Sequence, residues 1–237
     1  MSTFVLIHGG GHGGWCWDRL APILRNAGHA VFTPTLKGVG ERLTEASPDL
    51  DLDTHIDEVV RLIVRNDLRN AIVVGHSYGG MVITGVADRA PDRVGRLVYA
   101  DAAIPEDGEA LVDTSPGLLR VAAHDLRIVN GVELALWPEK LPAAIYGLVR
   151  PEDVSFAESR LTPHPWKTMT QPLRLRDPAA VAAVPRAIVN CTGTLASRPA
   201  EKLSRWLAGD PVWEIDTGHD LMITEPQVLA EMLLKLA

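Results

Sequence analysis

A chain of 237 residues, 46% apolar and 22% charged, can bury a full core as one domain or as one domain with an insertion. Its net charge of −7 disfavours a general role on nucleic acid or on an anionic membrane. Two cysteines, Cys16 and Cys191, form no disulfide framework and no zinc pattern, and no apolar run is long enough to span a bilayer. No signal peptide is visible, since a strand is expected to begin at Thr3, and a cytoplasmic protein with reduced thiols is expected.

In chain order, residues 3–8 read as a buried strand, and Gly9-Gly10-Gly11-His12-Gly13-Gly14 as a glycine-rich turn. A helix is expected from about residue 17 to 26, closed at Ala27-Gly28 by a left-handed cap. Residues 30–36 form a second strand, and residues 54–66 carry helical spacing at Ile56, Val59, Val60 and Ile63. Residues 70–74 are a short β-branched strand, residues 80–90 a helix, and residues 96–103 another strand. Strands that alternate with helices argue for an α/β fold with a mainly parallel sheet covered by helices on both faces.

The texture changes between residues 105 and 185, where ten of the 17 prolines lie and the alternation stops. Short helical pieces are expected at 117–124 and 143–149. Trp137, Phe156, Trp166 and Met169 give this stretch apolar surface to bury, so it reads as an inserted helical lid. Alternation resumes with a strand at 186–191, a helix near 200–208, a strand at 212–216 and a closing helix from 225. The expected division is a core of 1–104 and 186–237 with a lid of 105–185.

Between the strand at 70–74 and the helix at 80–90 stands Gly75-His76-Ser77-Tyr78-Gly79, a G-x-S-x-G. A serine on such a sharp strand-to-helix turn has its hydroxyl pushed out at the sheet edge. The competing reading is a glycine-rich turn holding an ordinary serine. A serine hydroxyl needs a base to take its proton, and His219 follows the last strand on a loop at the same edge. The other histidines compete poorly: His76 packs beside the turn, His8 and His12 shape the glycine run, and His29, His55, His124 and His164 read as surface or lid residues. None has metal-ligand spacing.

A carboxylate must orient that imidazole. The run Thr192-Gly193-Thr194-Leu195-Ala196-Ser197, after the strand ending near Cys191, is neutral until Glu201. Asp101 closes the preceding strand, 24 residues beyond Ser77. Asp101 is therefore the first candidate, Glu201 the second, and a water or neutral residue the third, while Asp216 is expected to fix its own turn. Backbone amides of Gly10 and Tyr78 are the candidate donors to a developing oxyanion.

The segments His8 to Trp17, Gly75 to Gly80 and Thr217-Gly218-His219-Asp220 resemble the small α/β-hydrolases of the plant methyl esterase and hydroxynitrile lyase group, with bacterial esterases most alike. The resemblance spans nearly the whole chain and is weakest in the lid. It implies the α/β-hydrolase fold, a Ser-His-Asp hydrolase without cofactor or metal, and Gly10 and Tyr78 as oxyanion donors. The lyases of the group carry threonine and lysine where this chain has Gly9 and Asp220, which disfavours cyanohydrin chemistry. Esterases of the group place the acid after the later strand, and Asp101 instead looks like the acid site of haloalkane-dehalogenase-like relatives.

The expected activity is hydrolysis of small to medium, largely apolar carboxylic esters, with Trp15, Trp137 and Trp166 lining the pocket. Lactone opening, C–C cleavage or lyase chemistry on the same fold is the alternative, and a non-catalytic ligand-binding protein is a third reading. The expected partner is a small ester, with no nucleic acid and no membrane; a homodimer stays open.

Overall fold

Continuous apolar runs such as Ala71–His76, every residue buried, suit strands covered on both faces, and such strands assemble here into a wholly parallel sheet. The computed structural model describes residues 1–237, the side chains of Pro116 and Leu118 apart. Its strands are β1 (Thr3–Ile7), β2 (Ala30–Phe32), β3 (Ala71–His76), β4 (Val94–Ala100), β8 (Arg186–Cys191) and β9 (Val212–Ile215), in the order β2-β1-β3-β4-β8-β9. The chain therefore leaves β1 outward to β2 and returns past it to β3. That reversal opens a crevice beyond the carboxyl ends of β1 and β3, the place where open α/β sheets bind ligands.

Helices α1 (Ala21–Asn26), α2 (Leu52–Arg65), α3 (Gly79–Arg89) and α11 (Pro226–Leu234) flank the sheet, with α2 against α3 and α1 against α11. Helix α2 starts where Asp51 caps Thr54 N–H, and it buries Leu52, His55, Ile56, Val59 and Ile63 along one stripe. His55 thus belongs to the core, against the surface position expected for it. The helix expected from residue 17 begins only at Ala21, because Pro22 suits a first turn and not an interior. Gly28, at φ +89°, provides the left-handed cap. No helix among the described residues is long and apolar enough to cross a membrane.

The connection from β4 to β8 holds α4 (Leu111–Thr114), α5 (Pro116–His124), α6 (Pro151–Glu158), α7 (Lys167–Thr170) and α8 (Pro178–Ala183). It also holds a three-stranded antiparallel sheet of β5 (Arg127–Val129), β6 (Val132–Ala135) and β7 (His164–Pro165), so this stretch is not helical alone. Asn130 and Gly131 turn the β5–β6 hairpin, both at positive φ (51° and 79°), as a two-residue hairpin loop requires. Helix α8 packs on α3 of the main sheet layer. Two short helices, α9 (Thr192–Leu195) and α10 (Leu221–Thr224), follow β8 and precede α11.

Candidate active site

Ser77 is held at φ +52°, a conformation that costs an L residue energy and projects its side chain from the turn. The glycines on either side make the turn feasible. A Cβ on Gly75 would lie 2.6 Å from the Gly79 carbonyl oxygen, and one on Gly79 would lie 2.5 Å from that of Ile7. The Ser77 carbonyl accepts from Gly80 N–H and from Ala103 N–H, both at 3.0 Å, which ties the turn to the end of β4. Gly75→Ala is expected to destabilise the protein by about 3 kcal/mol, read as a lower urea midpoint with an unchanged slope.

His219 sits in the loop after β9 and donates from Nδ1 to Asp101 Oδ2 at 2.5 Å. Asp101, just past β4, is 1% exposed and itself lies at φ +47°. Its carboxylate is fully occupied. Thr194 Oγ donates to Oδ1 and Oδ2 at 2.7 and 2.8 Å, and Arg198 Nη2 donates to Oδ1 at 2.8 Å and to the Asp101 carbonyl at 3.0 Å. Burial alone would push the carboxyl up, but the charge and hydrogen bond of His219, then Arg198 and Thr194, hold it well below the usual carboxylate range. Glu201 is exposed on a 3₁₀ turn and makes no hydrogen bond to His219. Asp216 accepts from Thr192 Oγ at 2.7 Å, bridging two loops rather than closing its own turn.

Ser77, His219, Asp101, Gly10 and Tyr78 all face one cavity of about 290 Å³. Among the described residues, no hydrogen bond joins Ser77 to His219, the looser arrangement that hydrolytic sites show before substrate enters. The backbone N–H groups of Gly10 and Tyr78 likewise have no protein partner among the described residues. Leu111, Leu119, Trp137, Ile145 and Met169 form the apolar wall, with Tyr146 and Arg198 beside it. A Cβ on Gly10 would lie 2.8 Å from the Met169 methyl. The missing side chain at Gly10 thus leaves room for this methionine.

Of the three tryptophans expected in the pocket, only Trp137 is there. Trp15 stacks on His12 (centroids 5.2 Å apart) and meets Phe156 edge-on, so its ring is used in packing. Trp166 lies in a neighbouring surface groove with Asp113, Arg120 and Lys202. His164, expected on the surface or in the lid, is buried on β7 and accepts from Gly11 N–H at 3.2 Å. His55 Nδ1 accepts from the Tyr78 hydroxyl at 2.9 Å. Tyr146, Thr194 and Arg198 had no local pattern to announce them; their places come from the loops that the sheet brings together.

A parallel sheet with a serine on a strained turn after β3, and a histidine–aspartate pair at the same edge, defines the α/β-hydrolase class. The chain belongs to that family: the alpha/beta hydrolase family profile matches residues 4–232. A carbendazim hydrolyzing esterase from Nocardioides sp. (strain SG-4G) is 37% identical over 244 residues, covering 98% of each chain. Methylesterase 18 of Arabidopsis thaliana is 26% identical, over 99% of this chain and 96% of its own. An extracellular alpha/beta-hydrolase from a Paenibacillus species superposes with a TM-score of 0.81 at 26% identity, over 99% of this chain and 98% of its own.

Proposed function

We propose that Ser77, His219 and Asp101 are the catalytic triad with which this ester-hydrolysing, carboxylesterase-type α/β-hydrolase cleaves small to medium, largely apolar carboxylic esters. Ser77 Oγ attacks the ester carbonyl while His219 takes its proton, and Asp101 holds the imidazole through Nδ1 and stabilises its cation. Negative charge gathers on the former carbonyl oxygen, where the amides of Gly10 and Tyr78 receive it. The tetrahedral adduct collapses to an acyl-serine as His219 hands its proton to the departing alcohol. Water, deprotonated by His219, then attacks the acyl-serine and releases the acid. The single observation that carries this reading is the His219–Asp101 hydrogen bond facing the same cavity as the strained Ser77.

Residues 105–185 act as a lid over the core of 1–104 and 186–237; the apolar cavity wall drawn from Leu111, Trp137 and Met169 supports that division. Two buried, unpaired cysteines support a reducing, cytoplasmic setting. A fluorophosphonate is expected to label Ser77, mapped by mass spectrometry, and to abolish hydrolysis of short-chain p-nitrophenyl esters. Turnover that survives in Ser77→Ala would sink the assignment. Carbendazim, which names the Nocardioides relative, is the next substrate to assay.

A further inference from the structure

Three successive glycines carry the Gly10 amide, and none has a side chain with which to fix its peptide planes. The structure fixes them with imidazoles. His8 Nδ1 donates to the Gly9 carbonyl at 2.9 Å, His12 Nδ1 to the Gly10 carbonyl at 2.8 Å, and Gly11 N–H donates to His164 Nδ1 at 3.2 Å. His12 does more than its neighbours. Its Nε2 lies 3.1 Å from Asp220 Oδ2, and both side chains are fully buried. Asp220 directly follows His219.

The Gly10 carbonyl can only accept, so His12 Nδ1 carries a hydrogen. Nε2 and the carboxylate then share one further proton, and the pair is neutral as a whole. Tyr146 closes a ring: its hydroxyl donates to the same Gly10 carbonyl at 3.1 Å, and its own carbonyl accepts from Asp220 N–H at 3.3 Å. The Tyr146 ring stacks on His219 with centroids 5.7 Å apart. A buried ion pair adds little net stability, because both charges lose their hydration. What this pair contributes is geometry.

We propose that His12 and Asp220 are positioning residues that lock the loop carrying the Gly10 amide to the loop carrying His219. This rests on the triad reading above. The clamp sets where the amide points relative to Ser77, so its loss is felt where charge develops on the substrate oxygen and not in ground-state binding.

The test uses the purified full-length enzyme, each variant normalised by fluorophosphonate titration of active sites. His12→Phe is expected to lower kcat for a p-nitrophenyl ester by about tenfold to a hundredfold, with KM changed by less than about threefold. Affinity for a trifluoromethyl ketone, which forms a tetrahedral adduct on Ser77, falls by the same factor. Asp220→Asn keeps the clamp, since neutral His12 still donates to Gly10 and its Nε2 accepts from the new amide; kcat stays within about fivefold. Tyr146→Phe removes only the second donor to Gly10 and costs about threefold to tenfold. Unchanged kcat and ketone affinity per labelled site in His12→Phe, or in His12→Asn should the former not fold, overturns the proposal, since an asparagine amide can still donate to the Gly10 carbonyl but is too short to reach Asp220. A loss in Asp220→Asn as deep as in His12→Phe overturns it in favour of a charge effect. Wild-type enzyme with neither label nor turnover overturns the triad reading and this one together, whereas failure on an active wild type is failure of the clamp alone.

Discussion

Asp101→Asn is expected to lower kcat for ester hydrolysis by about four orders of magnitude while the protein stays folded. The size of the effect follows from which way the new amide must face. Arg198 Nη2 donates to Oδ1 and His219 Nδ1 to Oδ2. An asparagine must keep its oxygen toward the guanidinium, because the opposite orientation sets two donors against each other. Its NH₂ then points at His219 Nδ1, which has to accept, and the imidazole proton moves to Nε2. A base protonated at Nε2 has no lone pair for the Ser77 hydroxyl. Glu201→Gln, on an exposed turn, leaves kcat within about twofold. Steady-state kinetics with circular dichroism on both variants checks this; near-normal kcat in Asp101→Asn refutes the role of Asp101.

Acid is expected to unfold the protein well above the range in which carboxylates titrate. Burial pushes His8 and His76 down to about 3 and His55 down to about 4, each from an ordinary value of 6.5, and drives His164 well below it. These imidazoles stay neutral in the folded protein and take up protons only when it unfolds. Between pH 6.5 and their folded values the unfolded chain binds more protons, so stability is lost as pH falls. His8, His55 and His76 alone cost about 4 kcal/mol for each pH unit below 6.5. His12 behaves oppositely: burial would lower it, but the charge of Asp220 together with the hydrogen bonds to Asp220 and to the Gly10 carbonyl outweighs that and raises it. Its contribution is complete below 6.5 and is lost only as pH rises through its folded value, so it offsets nothing on the acid side. Asp101, with its depressed folded value, adds its own loss only below about pH 4. For a domain of about 5–15 kcal/mol, cooperative unfolding near pH 5 is the expected outcome. Tryptophan fluorescence and Tm measured between pH 7 and 4.5 check it; a Tm unchanged at pH 4.5 contradicts it.

The parts of the site legible in the sequence are those written locally. Gly75-His76-Ser77-Tyr78-Gly79 and the strand before it specify a turn whose glycines leave no room for a Cβ beside the Gly79 and Ile7 carbonyls, and His219 stands in the loop after β9. Asp101 was readable because it closes an apolar strand while the next strand end is neutral. What surrounds Asp101 is tertiary: Val98 to Ala100 on β4 pair with Ala187 to Val189 on β8, which brings Thr194 and Arg198 onto the Asp101 carboxylate. Spacing along the chain carries none of that. Nor does it separate Trp137, above the glycine run, from Trp15 and Trp166, whose aromatic rings look the same in sequence. His55 reads as a surface or lid residue, yet it stands on the buried stripe because the Tyr78 hydroxyl and the Lys37 carbonyl satisfy both its nitrogens. Asn130-Gly131 is the local signal for the β5–β6 hairpin, in a stretch whose other short pieces read as helical.

The parallel pairing of β4 with β8 has a consequence for chain entropy. Joining those strands closes a loop made of everything from residue 101 to 185, and the cost of closing a loop grows only with the logarithm of its length. Doubling that connection costs the fold about 0.6 kcal/mol, less than one good hydrogen bond. The sheet that holds Ser77 and Asp101 in place is therefore nearly indifferent to how long the segment lining the cavity becomes. Insertions there can remodel the cavity wall while Ser77 and Asp101 stay where they are.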